Sequence, residues 1–164
     1  MKVATKAREA GLTFVEIMLA VLLVATFFAS MFELNAVCLR YIDATKESVA
    51  ALQVVHDRCE KLRNLAFADL TNASYLRTLL ATAANTSDFC NKATETVKVR
   101  AYPTANGVTQ LTRTPQGTVS LDSTATGLGN TLVQVDVSTT WNMTLGNRAR
   151  TEQTSTIISN GTKK

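Results

Sequence analysis

The sequence contains few of the residues that interrupt helices. It has 2 prolines and 7 glycines in 164 residues, and neither type occurs between Gly11 and Pro103. Because proline and glycine most often end or kink a helix, their absence allows long helices in the N-terminal part of the chain. Aromatic residues are only 6% and charged residues only 18% of the chain, whereas Thr and Ser are frequent. This composition favours an extracellular, β-rich domain over a cytosolic enzyme.

Catalytic and metal-binding patterns are equally scarce. There is 1 histidine, and the sequence has no glycine-rich phosphate loop, no Cys-X-X-Cys pair and no nucleophile elbow. His56 has the helical spacing to share a face with Cys59 or Glu60, but coincidences of this kind are common on one helix face. We therefore predict no catalytic residue, no cofactor and no metal site, and we expect that the protein is not an enzyme.

Residues 1–11 form a short basic leader. Three of its residues are Lys or Arg and one is Glu9, so the leader contributes +2 of the net charge of +4. Basic residues that flank an apolar segment stay on the cytoplasmic side of a membrane. We therefore expect a cytoplasmic N-terminus and a C-terminal head on the other side. The remaining charge gives no strong indication of nucleic-acid binding.

Residues 12–39 form an apolar segment. The uncharged run Ile17–Phe32 would make about 24 Å of helix, shorter than a hydrocarbon core of about 30 Å. Continuation of the helix to residue 39 completes the span, and Glu33 is the one charged residue between Ile17 and Leu39. Glu16 lies just before this run, and an unpaired carboxylate in hydrocarbon costs roughly 2.5–3.5 kcal/mol or more, so it needs a partner. This cost argues against a secretory signal peptide cut near Ala29 and against a plain single-pass anchor.

The residues that precede the apolar run are Gly11-Leu12-Thr13-Phe14-Val15-Glu16. They resemble the N-terminal signal of type IV pilins and type II secretion pseudopilins. The resemblance implies cleavage after Gly11 by a prepilin peptidase, methylation of the new N-terminus at Leu12, and a fifth mature position for Glu16. In that family the glutamate pairs with the α-amino group of a neighbouring subunit. The resemblance also implies a single pass through the bacterial inner membrane with a periplasmic head, followed by assembly with other pilin subunits on an inner-membrane platform.

Two positions depart from the family pattern. Glu33 stands where many members have a proline and Ala25 where a glycine is common, so nothing here predicts local melting of the helix on assembly. Three later segments resemble minor pilins of the PilV and type II secretion I-subunit kind, and they are Leu52–Phe67, Val133–Trp141 and Thr154–Gly161. The resemblance therefore implies a minor subunit.

Residues 40–66 continue the helix with one apolar side. Apolar residues recur at steps of three and four, which predicts an amphipathic helix with one buried face. The predicted stripe consists of Val49, Leu52, Val55, Cys59, Leu62 and Ala66. Most charged residues, Arg58 among them, are placed on the other faces. We interpret the whole as one helix of about 55 residues.

Residues 67–94 lose this periodicity, and we predict a variable connection with one or two helical turns within 75–84. Residues 95–164 alternate in the manner of β-strands. Four runs joined by Gly and Asn turns predict an antiparallel meander, and they are 97–101, 118–122, 132–141 and 151–158. The predicted fold class is α+β, with a long N-terminal helix packed on a roughly four-stranded antiparallel sheet.

The chain has 3 cysteines, an odd number. Cys38 and Cys59 would be about 30 Å apart on a continuous helix, which is too far for a disulfide. Cys59 and Cys90 are the predicted intramolecular pair, because the segment between them can fold back. The alternative that the sequence leaves open is a pair of small buried thiols.

Two functions follow from these predictions. The first is a structural subunit of a type IV pilus or of a type II secretion pseudopilus. The alternative is a membrane-tethered extracellular binding module, for DNA uptake or adhesion, and nucleic acid would be a partner only in that case. DNA binding by such a head would weaken steeply with added salt.

Overall fold

The computed structural model describes residues 13–129 and 131–161. The predicted processing site, Gly11 with Leu12, lies outside the described residues. The helices are α1 (Phe14–Arg63), α2 (Phe67–Leu70) and α3 (Ala73–Ala81), followed by a 3₁₀ turn at Asp88–Asn91. The strands are β1 (Thr94–Ala101), β2 (Val108–Arg113), β3 (Val119–Ser123), β4 (Leu132–Asn142) and β5 (Ala149–Ser159). The chain divides into two units, Met1–Arg40 and Tyr41–Lys164, and we call the second unit the head.

The fold class predicted from the sequence is confirmed. A long N-terminal helix is followed by an antiparallel sheet, and the C-terminal part of α1 packs on that sheet within the head. The sheet has five strands, not four, in the order β3-β2-β1-β4-β5. The strands therefore do not follow chain order, and the predicted simple meander is wrong. Pairing β1 with β4 brings together the two strands with the most valines, which places the most apolar surface at the centre of the sheet.

Strand β2 is the strand that the sequence did not predict. Its three inward-facing residues are Thr109, Leu111 and Arg113, and all three are buried. Only one of them is apolar, so the alternation that indicates a half-buried strand is missing from this segment. Register with β1 places the Leu111 backbone opposite Val97, and this neighbour makes the segment a strand.

The buried face of α1 differs from the predicted stripe. Val49 and Leu52 were expected in the core, but they are 52% and 60% exposed. The buried face begins instead with small residues, Ala44 and Ala51, and continues through Val54, Val55, Arg58, Cys59 and Leu62. Small side chains let the helix pack closely on the rest of the head, and this close packing favours burial of the face that contains them.

The predicted connection, residues 67–94, is a folded part of the head. Leu70, Leu76 and Leu80 are fully buried and belong to the same core cluster as the central strands. The Asn72 side chain accepts hydrogen bonds from Ser74 N at 3.0 Å and Tyr75 N at 3.2 Å, which caps α3. The expected helical turns therefore exist as α3, and three leucines attach the connection to the core.

A buried ion pair fixes the end of α3 to α1 and to β1. Arg58 Nε donates to Glu95 Oε1 at 2.5 Å and Arg58 Nη2 donates to Glu95 Oε2 at 3.0 Å. The same guanidinium donates to the carbonyl oxygens of Leu79 at 3.3 Å and Thr82 at 2.7 Å. Arg58 is 0% exposed and Glu95 3% exposed, so both charges depend on these contacts for their solvation. The prediction that Arg58 lies on a solvent-exposed face is wrong.

Polar residues near this pair divide the head core into two clusters. Glu95 lies opposite Arg113 on β2 and opposite Thr139 on β4, and Thr139 lies opposite Glu152 on β5. These four residues form a polar row across the inner face of the sheet. The larger cluster contains the valines of β1 and β4, and the smaller one contains Trp141 with Phe89 at a ring distance of 5.4 Å.

Candidate functional site

The described part of the chain begins at Thr13, within the stretch that resembles a pilin signal. Thr13 immediately precedes α1, and Glu16 lies in the first turn of that helix. Glu16 N donates to Thr13 O at 3.0 Å and to Thr13 Oγ1 at 3.3 Å. Thr13 therefore caps the N-terminus of α1. The Thr-X-X-Glu spacing is a capping-box pattern, and it is a sequence signal that our interpretation of Glu16 had not used.

The position of Glu16 has a local benefit that does not depend on any partner. A carboxylate in the first helical turn interacts favourably with the helix dipole, by about 0.3–1 kcal/mol. The Glu16 side chain is exposed and has no hydrogen-bond or ion-pair partner among residues 13–129 and 131–161. The helix dipole thus explains an acidic residue at this position, but it does not supply an opposite charge to the carboxylate.

The surface of α1 before the head is apolar on all sides. Every residue from 13 to 43 is exposed, and large apolar side chains point in all directions around the helix. They include Phe14 at 76%, Leu22 at 60%, Phe27 at 62% and Phe32 at 73%. A helix that is apolar all round is stable only inside lipid or among other apolar helices. This segment is long and apolar enough to span a membrane, which is consistent with a single-pass membrane protein.

The hydroxyl groups within this apolar segment form hydrogen bonds with their own helix. Thr26 Oγ1 donates to Leu23 O at 2.9 Å, and Ser30 Oγ donates to Thr26 O at 2.9 Å. Such bonds to preceding carbonyls allow hydroxyl groups to enter hydrocarbon. Glu33 differs, because it is exposed and has no bonding partner in the described ranges. Glu16 and Glu33 are therefore the two groups whose charge the surroundings of this segment must accommodate.

The structure places the cysteines of the head in separate clusters. Cys59 belongs to the larger cluster and Cys90 to the smaller one, and both thiols are free and buried. Cys90 Sγ donates instead to Asn85 Oδ1 at 3.3 Å. The predicted Cys59–Cys90 disulfide is absent, and the structure has the alternative arrangement of two buried thiols. Burial, together with the nearby Glu60 carboxylate, raises the pKa of Cys59, so this thiol stays protonated at neutral pH.

His56, the residue that we had considered as a metal ligand, lies exposed on α1. Within residues 13–129 and 131–161 no group of three or more His, Cys, Asp or Glu side chains is arranged to hold a metal ion.

The exposed carboxylate of Asp122 accepts hydrogen bonds from Thr112, Ser120 and Gln110, which lower its pKa. This cluster joins β2 to β3 on the outer face of the sheet.

Comparison with known protein families, with characterised proteins and with solved structures finds no match to this chain. The arrangement of a long apolar helix followed by an antiparallel sheet is nevertheless consistent with a pilin-like fold. The resemblance therefore depends on the residues from Gly11 to Glu16 and on this architecture.

Proposed function

We propose that the protein is a structural subunit, of the minor class, in a type IV pilus or a type II secretion pseudopilus. A prepilin peptidase cuts it after Gly11, and the new N-terminus at Leu12 is methylated. The subunit is held in the inner membrane, with its N-terminus in the cytoplasm and its head in the periplasm, until an assembly platform adds it to the filament. The observation that carries this proposal is the apolar surface of α1, which is exposed on every side from residue 13 to residue 43.

Assembly solves the solvation problem of that surface. When an apolar helix leaves lipid, the transfer of its surface to water is unfavourable unless other apolar surface replaces the hydrocarbon. A bundle of identical or homologous helices provides that replacement and leaves every backbone group bonded within its own helix. The partners of this segment are therefore membrane lipid first and the helices of other subunits afterwards.

Glu16 sets the register in this proposal. Its carboxylate pairs with the α-amino group of Leu12 in a neighbouring subunit, so two charges enter an apolar environment together. An ion pair in such surroundings is far less costly than either charge alone. The pairing requires cleavage, because the amino group of Leu12 exists only after the leader is removed.

The capping geometry suggests the experiment that tests this role. A Gln at position 16 removes the charge and leaves the Thr13 cap intact, because Thr13 accepts from the backbone N–H of residue 16. We expect Glu16→Gln to be processed normally, with the mature mass, and to be lost from filaments by at least about tenfold, since an unpaired ammonium remains in the apolar bundle. Processing is measured by intact mass, and incorporation by immunoblotting of sheared filaments.

Two further variants complete the test. Gly11→Ala is expected to keep the leader mass and to stay out of filaments. Glu16→Asp keeps the charge and is expected to restore part of the incorporation lost in Glu16→Gln. Normal incorporation of Glu16→Gln would show that assembly does not need the charge at position 16, and the mature mass for Gly11→Ala would contradict the processing site.

A further inference from the structure

A groove lies at the end of the head where α1 enters it. One wall is the first turns of α1 within the head, with Tyr41, Thr45 and Ser48. The other wall is the β4–β5 hairpin, with Met143, Leu145, Arg148 and Arg150. The groove has a volume of about 710 Å³, enough for a polar group of several heavy atoms together with some attached hydrocarbon.

The hairpin wall is held in place by hydrogen bonds. The Glu47 carboxylate accepts from Thr144 N at 3.1 Å and also from the Thr144 hydroxyl. Met143 N donates to Arg148 O at 2.9 Å, and the turn between them has positive φ angles at Gly146 and Asn147. The side chains of the hairpin are therefore presented to α1 by a defined backbone, so the groove exists before any ligand arrives.

The charge in this groove is uncompensated. Arg148 and Arg150 are exposed, and neither side chain has an ion pair or hydrogen bond within the described ranges. The acids on the adjoining turns of α1 already have partners, because Glu47 binds Thr144 and Asp43 lies 3.8 Å from Lys46. Glu152 lies two residues beyond Arg150 on β5 and forms no ion pair with it. Two free guanidinium groups at one site are suited to bind a phosphate, which they can contact through paired N–H donors.

The other lining residues give the groove one apolar side. Thr45 Oγ1 donates to Tyr41 O at 2.9 Å and Ser48 Oγ donates to Ala44 O at 3.3 Å. These hydroxyl groups are therefore bonded to their own helix and line the groove without adding charge. Ala44 is buried, and Met143 and Leu145 are half-buried. Such a site combines cationic donors with apolar contact surface. This combination matches the phosphate, glycerol and first methylene groups of a phospholipid better than it matches inorganic phosphate.

The position of the groove along the chain points to the same ligand. The apolar segment ends at residue 39, and the α1 wall of the groove begins at Tyr41, within one helical turn. Residues directly after a membrane-spanning segment lie at the level of the lipid headgroups. We propose that this groove binds the headgroup phosphate of an anionic phospholipid through Arg148 and Arg150. The inference rests on the single-pass membrane placement of the proposed function, but it does not depend on filament assembly.

The test uses the full chain in nanodiscs of phosphatidylcholine that contain a minor fraction of phosphatidylglycerol. Native mass spectrometry after release from the disc counts the lipids that stay bound. We expect selective retention of phosphatidylglycerol, reduced at least about tenfold in Arg148→Gln/Arg150→Gln, since each arginine near an anionic surface contributes about 1 kcal/mol. The control Arg77→Gln/Lys98→Gln removes two exposed charges elsewhere on the head and is expected to retain the lipid.

The outcomes separate this inference from the proposed function. Equal retention in the two double variants, or no preference over phosphatidylcholine, would overturn the lipid site while leaving membrane insertion intact. Displacement of the lipid by soluble glycerol phosphate at similar concentration would identify a free phosphate ester as the ligand and overturn the lipid assignment. A chain that does not enter the discs at all would contradict the membrane placement, and the lipid site with it.

Discussion

The two parts of α1 belong to one continuous helix, but their surroundings are opposite. From residue 13 to residue 43 every side chain is exposed although most are apolar. From Ala44 onward one face is buried against the head while charged residues cover much of the remainder. Among residues 13–129 and 131–161 nothing packs on the first part, whereas the second part packs on the rest of the head.

This difference separates two sources of stability. The head folds around its own core, so its free energy of unfolding depends on local contacts such as those of Leu62. In the proposed function, the N-terminal part of α1 gains its stability from lipid or from the helices of other subunits. Substitutions in the head should therefore change unfolding, whereas substitutions before residue 41 should change insertion and assembly.

The largest effect is expected for Glu95→Ala. Removal of this carboxylate leaves the buried Arg58 guanidinium without its counter-charge, and breaking a buried pair in this way costs about 3–5 kcal/mol. The measurement is urea unfolding of the full chain in detergent, followed by Trp141 fluorescence. The control Asp43→Ala breaks an exposed pair with Lys46, for which we expect less than about 1 kcal/mol. Equal losses in the two variants would show that the Arg58 pair is not buried in solution.

The next effect distinguishes the two faces of α1 within the head. Leu62 is 0% exposed, and Leu62→Ala is expected to reduce the free energy of unfolding by about 2–5 kcal/mol. Leu52 is 60% exposed, and Leu52→Ala is expected to change it by less than about 0.5 kcal/mol. Both are measured by the same urea titration. A reversed order would return Leu52 to the core, as the sequence pattern had predicted.

A third variant probes the other part of the helix. Leu23 is 62% exposed near the middle of the apolar segment, and Leu23→Lys should make insertion less favourable by about 2.5–3.5 kcal/mol. We expect less of the chain to resist alkaline extraction from membranes, with the unfolding of the head unchanged. Leu23→Ala is the matched control. Loss of head stability in Leu23→Lys would mean that the two parts of α1 are energetically coupled.

The smallest effect is a pH dependence of the head. Because burial raises the pKa of Cys59, the folded state keeps its proton at a pH where the unfolded state loses it. The contribution of this thiol to stability should therefore be constant below the ordinary thiol pKa of about 8.5 and should fall as pH rises from there toward the raised pKa of the folded state. Unfolding of the wild type and of Cys59→Ala is compared across this range. The alkaline decline attributable to this thiol should be missing from the variant.

The sequence was sufficient for features with a local cause. The long helix follows from the absence of proline and glycine after Gly11, and the α+β class follows from the change of period near residue 95. The buried face of α1 was not predicted correctly, because a hydrophobic stripe is recognised mainly by its large apolar residues. Ala44 and Ala51 lie on the face that is buried. An alanine indicates a close helix contact only when the surface that packs against it is known.

Features that depend on pairing over long distances could not be predicted in this way. Whether β4 joins β1 or β3 depends on the fit of whole surfaces, and β2 becomes a strand through its neighbours. The Glu95 carboxylate did leave a signal, since it has the same parity as Val97 and Val99 and must therefore face inward. A charged residue in that position requires a buried partner, and Arg58 lies at helical spacing between Val54 and Leu62.

The contacts of Arg58 with the end of α3 have a consequence for sequence change. Two of its hydrogen bonds go to the backbone carbonyls of Leu79 and Thr82, which every residue type possesses. These two hydrogen bonds between Arg58 and α3 therefore do not depend on which side chains occupy positions 79 and 82. Outward-facing positions of α3, such as Arg77 and Thr78, can change freely while the segment stays docked. This part of the head is thus a surface on which recognition by other molecules can be altered, by selection or by design, at little risk to the fold.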